Sequence, residues 1–248
     1  MLEETVAIEK ICMLAGKIML VSGAETNRVE DTMNRIASSF GIENPQSYAT
    51  PTGINFSVDV AATTNSLRII RRSTDLHKID KVNIVSRKIA GGEITITEAF
   101  RQLKEIDREN TAYPAWVQIL AAGLASGGFT IMYGGTWGDF LPAFFAGAIG
   151  FTGLLSFERV VEIRFLAEFF GAFLVGASAY LFFRMGFGNL INMVIIGGVM
   201  PLVPGLHITN AVRDLMSGHL VSGLSKGVEA VLTAFAIGAG VAVIYSFV

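Results

Sequence analysis

Pro201-Leu202-Val203-Pro204-Gly205-Leu206-His207-Ile208-Thr209-Asn210-Ala211-Val212-Arg213-Asp214 lies between two apolar stretches, where a membrane helix would normally finish or start. Pro201, Pro204 and Gly205 break the helix, and the polar side chains His207, Asn210, Arg213 and Asp214 follow at once. Broken backbone beside charge at membrane depth is tolerated only where protein buries it or a wet cavity receives it. The stretch is therefore read as a candidate solute pathway, which makes transport the leading expectation.

Composition supports a membrane chain. Of the 248 residues, 52% are hydrophobic and 16% are charged, against roughly 25% charged in soluble domains. Residues 1–112 hold 14 Lys/Arg and 15 Asp/Glu, and residues 113–248 hold 5 and 6. Glycine divides the other way, with 6 of 27 before residue 113. Gly is frequent in membrane helices because it lets backbones approach. A net charge of −2 without a basic stripe argues against a nucleic-acid partner. The lone Cys12 gives no disulfide framework or metal site and reads as a small core residue. The N-terminus shows no basic n-region followed by an apolar h-region.

In residues 1–112 the pattern predicts helices over 3–21, from Ser22 to about Phe40, around Ile79, Val82, Val85 and Ile89, and after Thr95. Ser22 with Glu25, and Thr95 with Glu98, have capping-box spacing. Alternation at Tyr48, Ile54, Phe56 and Val58 predicts strand, with Pro51 and Gly53 pointing to an edge, a bulge or a turn inside it. A partner strand is expected over 67–72. The expected fold class is a small soluble α+β N-terminal domain, residues 1–112, followed by an all-α membrane domain, residues 113–248.

Apolar segments near 115–132, 139–157, 165–183 and 228–248 each approach the roughly 20 residues that cross a bilayer. The segment 190–204 is too short alone. It either re-enters, which would reverse the side of the C-terminus, or joins 205–219 as a fourth, broken span; the broken span is favoured, giving five. Arg159, Arg164, Arg213 and Lys226 fall on the side of residues 1–112, and Arg184 falls opposite. The positive-inside rule then places residues 1–112 in the cytoplasm and the C-terminus outside.

His207, Asn210 and Asp214 are three and four residues apart and share one helix face, with Arg213 beside it. Asp214 could change protonation during a transport cycle. A solvated loop with a helix cap is the competing reading of this cluster. Glu168 lies about one turn inside the third span. A carboxylate at mid-membrane costs about 2.5–3.5 kcal/mol, less toward the interface. It reads either as a proton-coupling group or as part of an interfacial ion pair with Arg164 and Glu162. Asp139 reads as a favourable first-turn acid. Gly23, Ala24 and Glu25 with Arg28 mark a helix start. No phosphate-binding, dinucleotide or hydrolase motif occurs, so neither ATP drive nor enzymatic catalysis is expected, and no cofactor.

The segments 23–31 (Gly-Ala-Glu-Thr-Asn-Arg-Val-Glu-Asp), 202–214 and 217–224 (Ser-Gly-His-Leu-Val-Ser-Gly-Leu) resemble the threonine/serine exporter family, in particular its split, YjjP-type members. The resemblance runs over nearly the whole chain. It implies export of small polar metabolites across the plasma membrane: threonine and serine, or dicarboxylates such as succinate. It also implies a separate YjjB-type membrane subunit of about four spans, and an oligomeric assembly. Glu168 is not part of the family pattern, and a role for it follows from its burial alone. The competing expectation is a membrane-anchored ligand sensor or scaffold without transport activity. An anchor has no need of a broken helix with buried polar groups.

Overall fold

The structure, a computed structural model, describes residues 2–161 and 163–246. Its elements in order are α1 (Leu2–Val21), α2 (Thr26–Ser39), β1 (Gln46–Thr50), β2 (Gly53–Ser57), β3 (Asn65–Arg68), α3 (Leu76–Ala90), α4 (Ile96–Arg108), α5 (Ala115–Met132), α6 (Trp137–Val161), α7 (Arg164–Arg184), α8 (Ile191–Val199), α9 (Gly205–Met216) and α10 (Leu220–Tyr245). A 3-10 turn, Met200–Leu202, follows α8.

The expected fold class needs correction. The chain is 72% helical, and among the described residues there is one small sheet of three short strands and no distinct soluble N-terminal domain. The compact unit that holds residues 1–112 also contains 208–227, drawn from the far end of the chain. The alternation at Ile54 and Phe56 is real, but it covers a strand of 5 residues. Four helices supply most of what surrounds it. The strand expected over 67–72 begins earlier and ends at Arg68.

In this first unit α1 is the central element. Ile8, Ile11, Cys12, Ala15, Ile18 and Met19 line its buried side and meet Val29, Met33 and Ile36 of α2. Burial pushes the Cys12 thiol up to about 12, so it is a packing residue rather than a nucleophile. The strands form an antiparallel meander, β1-β2-β3, with Ala49 opposite Ile54 and Ile54 opposite Leu67. Ile54 and Phe56 point into the helical core. Thr95 caps α4 by accepting the Glu98 amide at 3.4 Å, as its spacing predicts. Ser22 does not open α2. Ser22 to Glu25 is a connection in which Gly23 adopts φ 84, and α2 starts at Thr26. A Cβ at Gly23 would also sit a tight 3.1 Å from the Ser73 carbonyl, so the backbone conformation and the close approach both favour glycine there.

The second unit comprises residues 113–207 and 228–248, of which 162, 247 and 248 lie outside the described residues. Among the described residues, four helices, Ala115–Met132, Trp137–Val161, Arg164–Arg184 and Leu220–Tyr245, are long and apolar enough to cross a membrane. The pair Ile191–Leu202 and Gly205–Met216, bent by 59°, would make a fifth crossing if it counts as one. The bend has a covalent cause. Pro201 and Pro204 have no N–H, so the Gly197 carbonyl takes the Met200 amide and the Met200 carbonyl takes the Val203 amide.

Packing in this unit is close. Its core sets Ala143, Ala146, Ala172 and Ala179 among Val175, Val194, Ile195, Val199, Leu202 and Ile237. A Cβ at Gly197 would fall 1.9 Å from Thr130 Oγ1, and one at Gly240 2.4 Å from the Phe169 carbonyl. The small residues thus let neighbouring helices touch backbone to backbone.

Candidate functional site

The two polar motifs of the sequence meet in the first unit. Thr26 is the first residue of α2, and the cap position, Glu25, makes no side-chain hydrogen bond to the helix. The open N–H groups of a helix start attract an anion. Asp214 of α9 supplies it from 188 residues away. Its Oδ1 accepts the Thr26 amide at 2.9 Å, and its Oδ2 accepts the Thr26 hydroxyl at 2.9 Å. Lys226, in the second turn of α10, donates to the same Oδ2 at 2.7 Å. The Lys226 ammonium also reaches the Ala24 carbonyl at 3.2 Å. Asp214 is 0% exposed and Lys226 is 4% exposed.

Around this buried pair lies a second ring of contacts. Asn210 Nδ2 donates to the Gly23 carbonyl at 2.9 Å. Arg213 forms an ion pair with Glu25. On α2, one turn past Thr26, Glu30 accepts the Ala49 amide of β1 at 2.7 Å and lies 3.7 Å from His219 Nε2. Burial pushes the Glu30 carboxyl up. The Ala49 amide and His219 pull it back, and Asp214 adds to the rise. Gly223 completes the fit, since a Cβ there would sit 2.5 Å from Leu215 and 3.0 Å from the Ala211 carbonyl. The α9–α10 hairpin therefore closes tightly on itself before it meets α2.

Of the residues singled out in the sequence, Gly23, Ala24, Glu25, Asn210, Arg213 and Asp214 are brought together here. Arg28 is exposed on α2. His207 is placed elsewhere: it belongs to the second unit, where its Nε2 lies 3.0 Å from Arg164 Nη1. Arg164 Nε in turn donates to Glu168 Oε1 at 2.9 Å. Glu162, the third member of the expected ion pair, lies outside the described residues. Pro204 is buried and Pro201 half-buried at the bend, and Gly205 opens α9. Asp139 is more than a first-turn acid. Fully buried, it accepts the Thr136 amide and hydroxyl and the amides of Asn189 and Leu190, which ties the start of α6 to the turn before α8. Among the described residues, no group of three or more His, Cys, Asp or Glu side chains could hold a metal ion.

Sequence reasoning passed over Lys226, Thr26, Glu30 and His219 as site residues. Lys226 counts as a loop charge in the orientation argument. Its one distinguishing signal is its position, the one cation of a mostly apolar helix, three residues before Glu229.

The model of the ThrE threonine/serine exporter family matches residues 10–248. The chain belongs to this family. A relative from Escherichia coli strain K12, named "Probable succinate transporter subunit YjjP", is 25% identical over 247 residues, covering 96% of this chain and 94% of its own. A "Probable threonine/serine exporter" of Mycobacterium tuberculosis is 25% identical over 85% of this chain and 40% of its own length. The "Threonine/serine exporter" of Corynebacterium glutamicum is 24% identical over 91% and 48%. No solved structure matches the chain. Family membership and the long apolar helices make this a multi-pass membrane protein of an exporter family, a family of transporters rather than of enzymes.

Proposed function

We propose that the chain is one subunit of a secondary exporter. It moves small polar metabolites, either threonine/serine-type amino acids or dicarboxylates such as succinate, out of the cytoplasm across the plasma membrane. The observation that carries this reading is the Asp214 cluster. A carboxylate and an ammonium are both buried beside a helix bent by two prolines, and every charged atom is matched to a partner drawn from another helix. Breaking such a pair by removing one member costs about 3–5 kcal/mol. Exchanging its partners for those of a solute or of water costs less. A polar latch on a bent helix is the kind of two-state element that alternating access requires. In this reading Asp214, Lys226 and Thr26 hold the gate shut. Asn210 and Arg213, nearer the surface, exchange first. Pro201, Pro204 and Gly205 form the bend that lets α9 move.

Residues 1–112 face the cytoplasm in this arrangement, and with five spans the C-terminus lies outside. The partner is a separate YjjB-type membrane subunit of about four spans. The relative named as a subunit is matched along almost its full length, whereas the exporters from Mycobacterium tuberculosis and Corynebacterium glutamicum are matched along less than half of theirs. Their extra length leaves room for that second part within one chain.

The test is flux in proteoliposomes holding the full chain with and without the four-span subunit, using labelled threonine, serine and succinate. Flux should require both chains. Asp214→Asn and Arg213→Ala should each lower it at least tenfold at equal reconstituted amount. Unchanged flux in both variants would show that the solute passes elsewhere.

A further inference from the structure

The second unit holds a charged group that the latch does not use. Glu168 lies on the buried face of α7 with Gly171, Ala172 and Val175, and it is 4% exposed. Its Oε1 accepts Arg164 Nε at 2.9 Å. Its Oε2 is buried and has no hydrogen-bond partner among the described residues. A buried carboxylate oxygen without a donor is costly, and proteins rarely keep one without a use for it. This chain satisfies carboxylates fully where they serve structure. Asp139 and Asp214 are buried at least as deeply, and both oxygens of each accept donors.

The surroundings of Glu168 fit a ligand with two opposite charges. Arg164, one turn nearer the helix start, is 47% exposed along its side chain, so its guanidinium is open to a ligand's approach. Four residues of helix set the two Cα atoms about 6 Å apart along the axis, and the side chains close that gap to the 2.9 Å contact, so one small ligand can reach both groups. His207 Nε2 holds one end of the guanidinium, and the planar fork has further N–H donors to offer. The proline bend is close by. Gly171 lies one turn further along the same face, and a Cβ there would sit 3.5 Å from Leu202.

We propose that Arg164 and Glu168 form a binding site for a zwitterion, in which Glu168 Oε2 accepts the ammonium group of an α-amino acid and Arg164 takes its carboxylate. The inference rests on the transport reading and narrows its solute. A dicarboxylate offers Oε2 no donor and brings a second negative charge toward Glu168. An amino acid supplies the missing donor and leaves the pair neutral overall.

The experiment measures counterflow of labelled L-threonine and of labelled succinate in vesicles containing the full chain and the four-span subunit. Unlabelled L-threonine and 3-hydroxybutyrate, which has the same skeleton without the ammonium group, serve as competitors. Threonine should be carried, and 3-hydroxybutyrate should compete at least tenfold more weakly. Glu168→Gln should lower threonine counterflow at least tenfold at equal abundance and abolish the difference between the competitors, with Glu168→Asp recovering part of both. Arg164→Ala should weaken both competitors alike and preserve their difference.

Preference for succinate in the wild type would overturn the proposal, as would threonine counterflow within twofold of wild type in Glu168→Gln. Loss confined to gradient-driven flux, with counterflow intact, would make Glu168 a proton carrier and overturn it as well. A wild type that carries solute, whatever Glu168→Gln does, leaves the transport reading standing. A wild type that carries none removes both.

Discussion

Asp214 in the first unit and Glu168 in the second are both buried acids paired with a base, yet their surroundings differ in kind. Asp214 receives an amide, a hydroxyl and an ammonium, while Glu168 receives one guanidinium nitrogen and keeps an oxygen open. Depth and charge are alike, so neither says what an acid is for. The number of donors does, because a satisfied network fixes one arrangement and an unsatisfied one invites a partner. The packing differs as well. The first unit buries Ile11, Ile18, Met33, Ile36, Ile54 and Phe56, large side chains held by the hydrophobic effect. The second buries Val175, Val194, Ile195, Leu202 and Ile237 too, but sets them among many alanines and glycines, as expected where lipid weakens that drive and close contact must supplement it.

The sharpest way to break the comparison is to unbalance the latch. Asp214→Ala strands the Lys226 ammonium and should cost about 3–5 kcal/mol, read as denaturant or thermal unfolding of the purified chain. Adding Lys226→Met should recover more than half of that loss, since no ion is then stranded. A single-mutant loss below about 1 kcal/mol would mean that the pair holds nothing shut.

Packing in the second unit gives an intermediate effect. Gly197→Ala drives a methyl to 1.9 Å from Thr130 Oγ1 and 2.7 Å from the Ser126 carbonyl, which should cost about 1–3 kcal/mol. Gly128→Ala on α5, where nothing lies within 4 Å, should change stability by less than about 0.5 kcal/mol. Equal losses at the two sites would remove close helix approach as the distinction between the units.

The smallest expected effect concerns Glu30. Its carboxyl is raised in the folded chain, chiefly by burial. A raised folded-state value stabilises the fold fully at pH below the ordinary carboxylate value of about 4.3. That contribution fades as the pH climbs through the raised value. The stability of wild type minus that of Glu30→Gln should therefore fall with rising pH across this window. A difference that is flat or grows with pH would acquit burial of any hold on Glu30.

Local features were legible from residue order alone. The Thr95 cap, the proline bend and the ranges of α5 to α7 follow from spacing and apolar length, which act within a few turns of chain. The site was legible only in halves. Helix-face spacing groups His207 with Asn210 and Asp214, but the structure gives His207 to Arg164, because spacing along a helix says nothing of what stands opposite. Ser22 and Glu25 have the spacing of a cap, yet the α2 start is capped by Asp214, a pairing that only folding creates. The strand pattern overstated the sheet, since alternation over 5 residues carries little weight beside four helices.

The capping of α2 from 188 residues downstream also has a consequence for biogenesis. At a synthesis rate of about 5–20 residues per second, a gap of that length takes about 10–40 s to translate. Throughout that interval the Thr26 amide and the Ala24 carbonyl of a nascent chain have no native partner. The earliest-made helices must wait on the ribosome, stay wet or borrow a chaperone until the last hairpin emerges. A polypeptide stalled before residue 208 should accordingly be a substrate for quality control rather than a half-finished transporter.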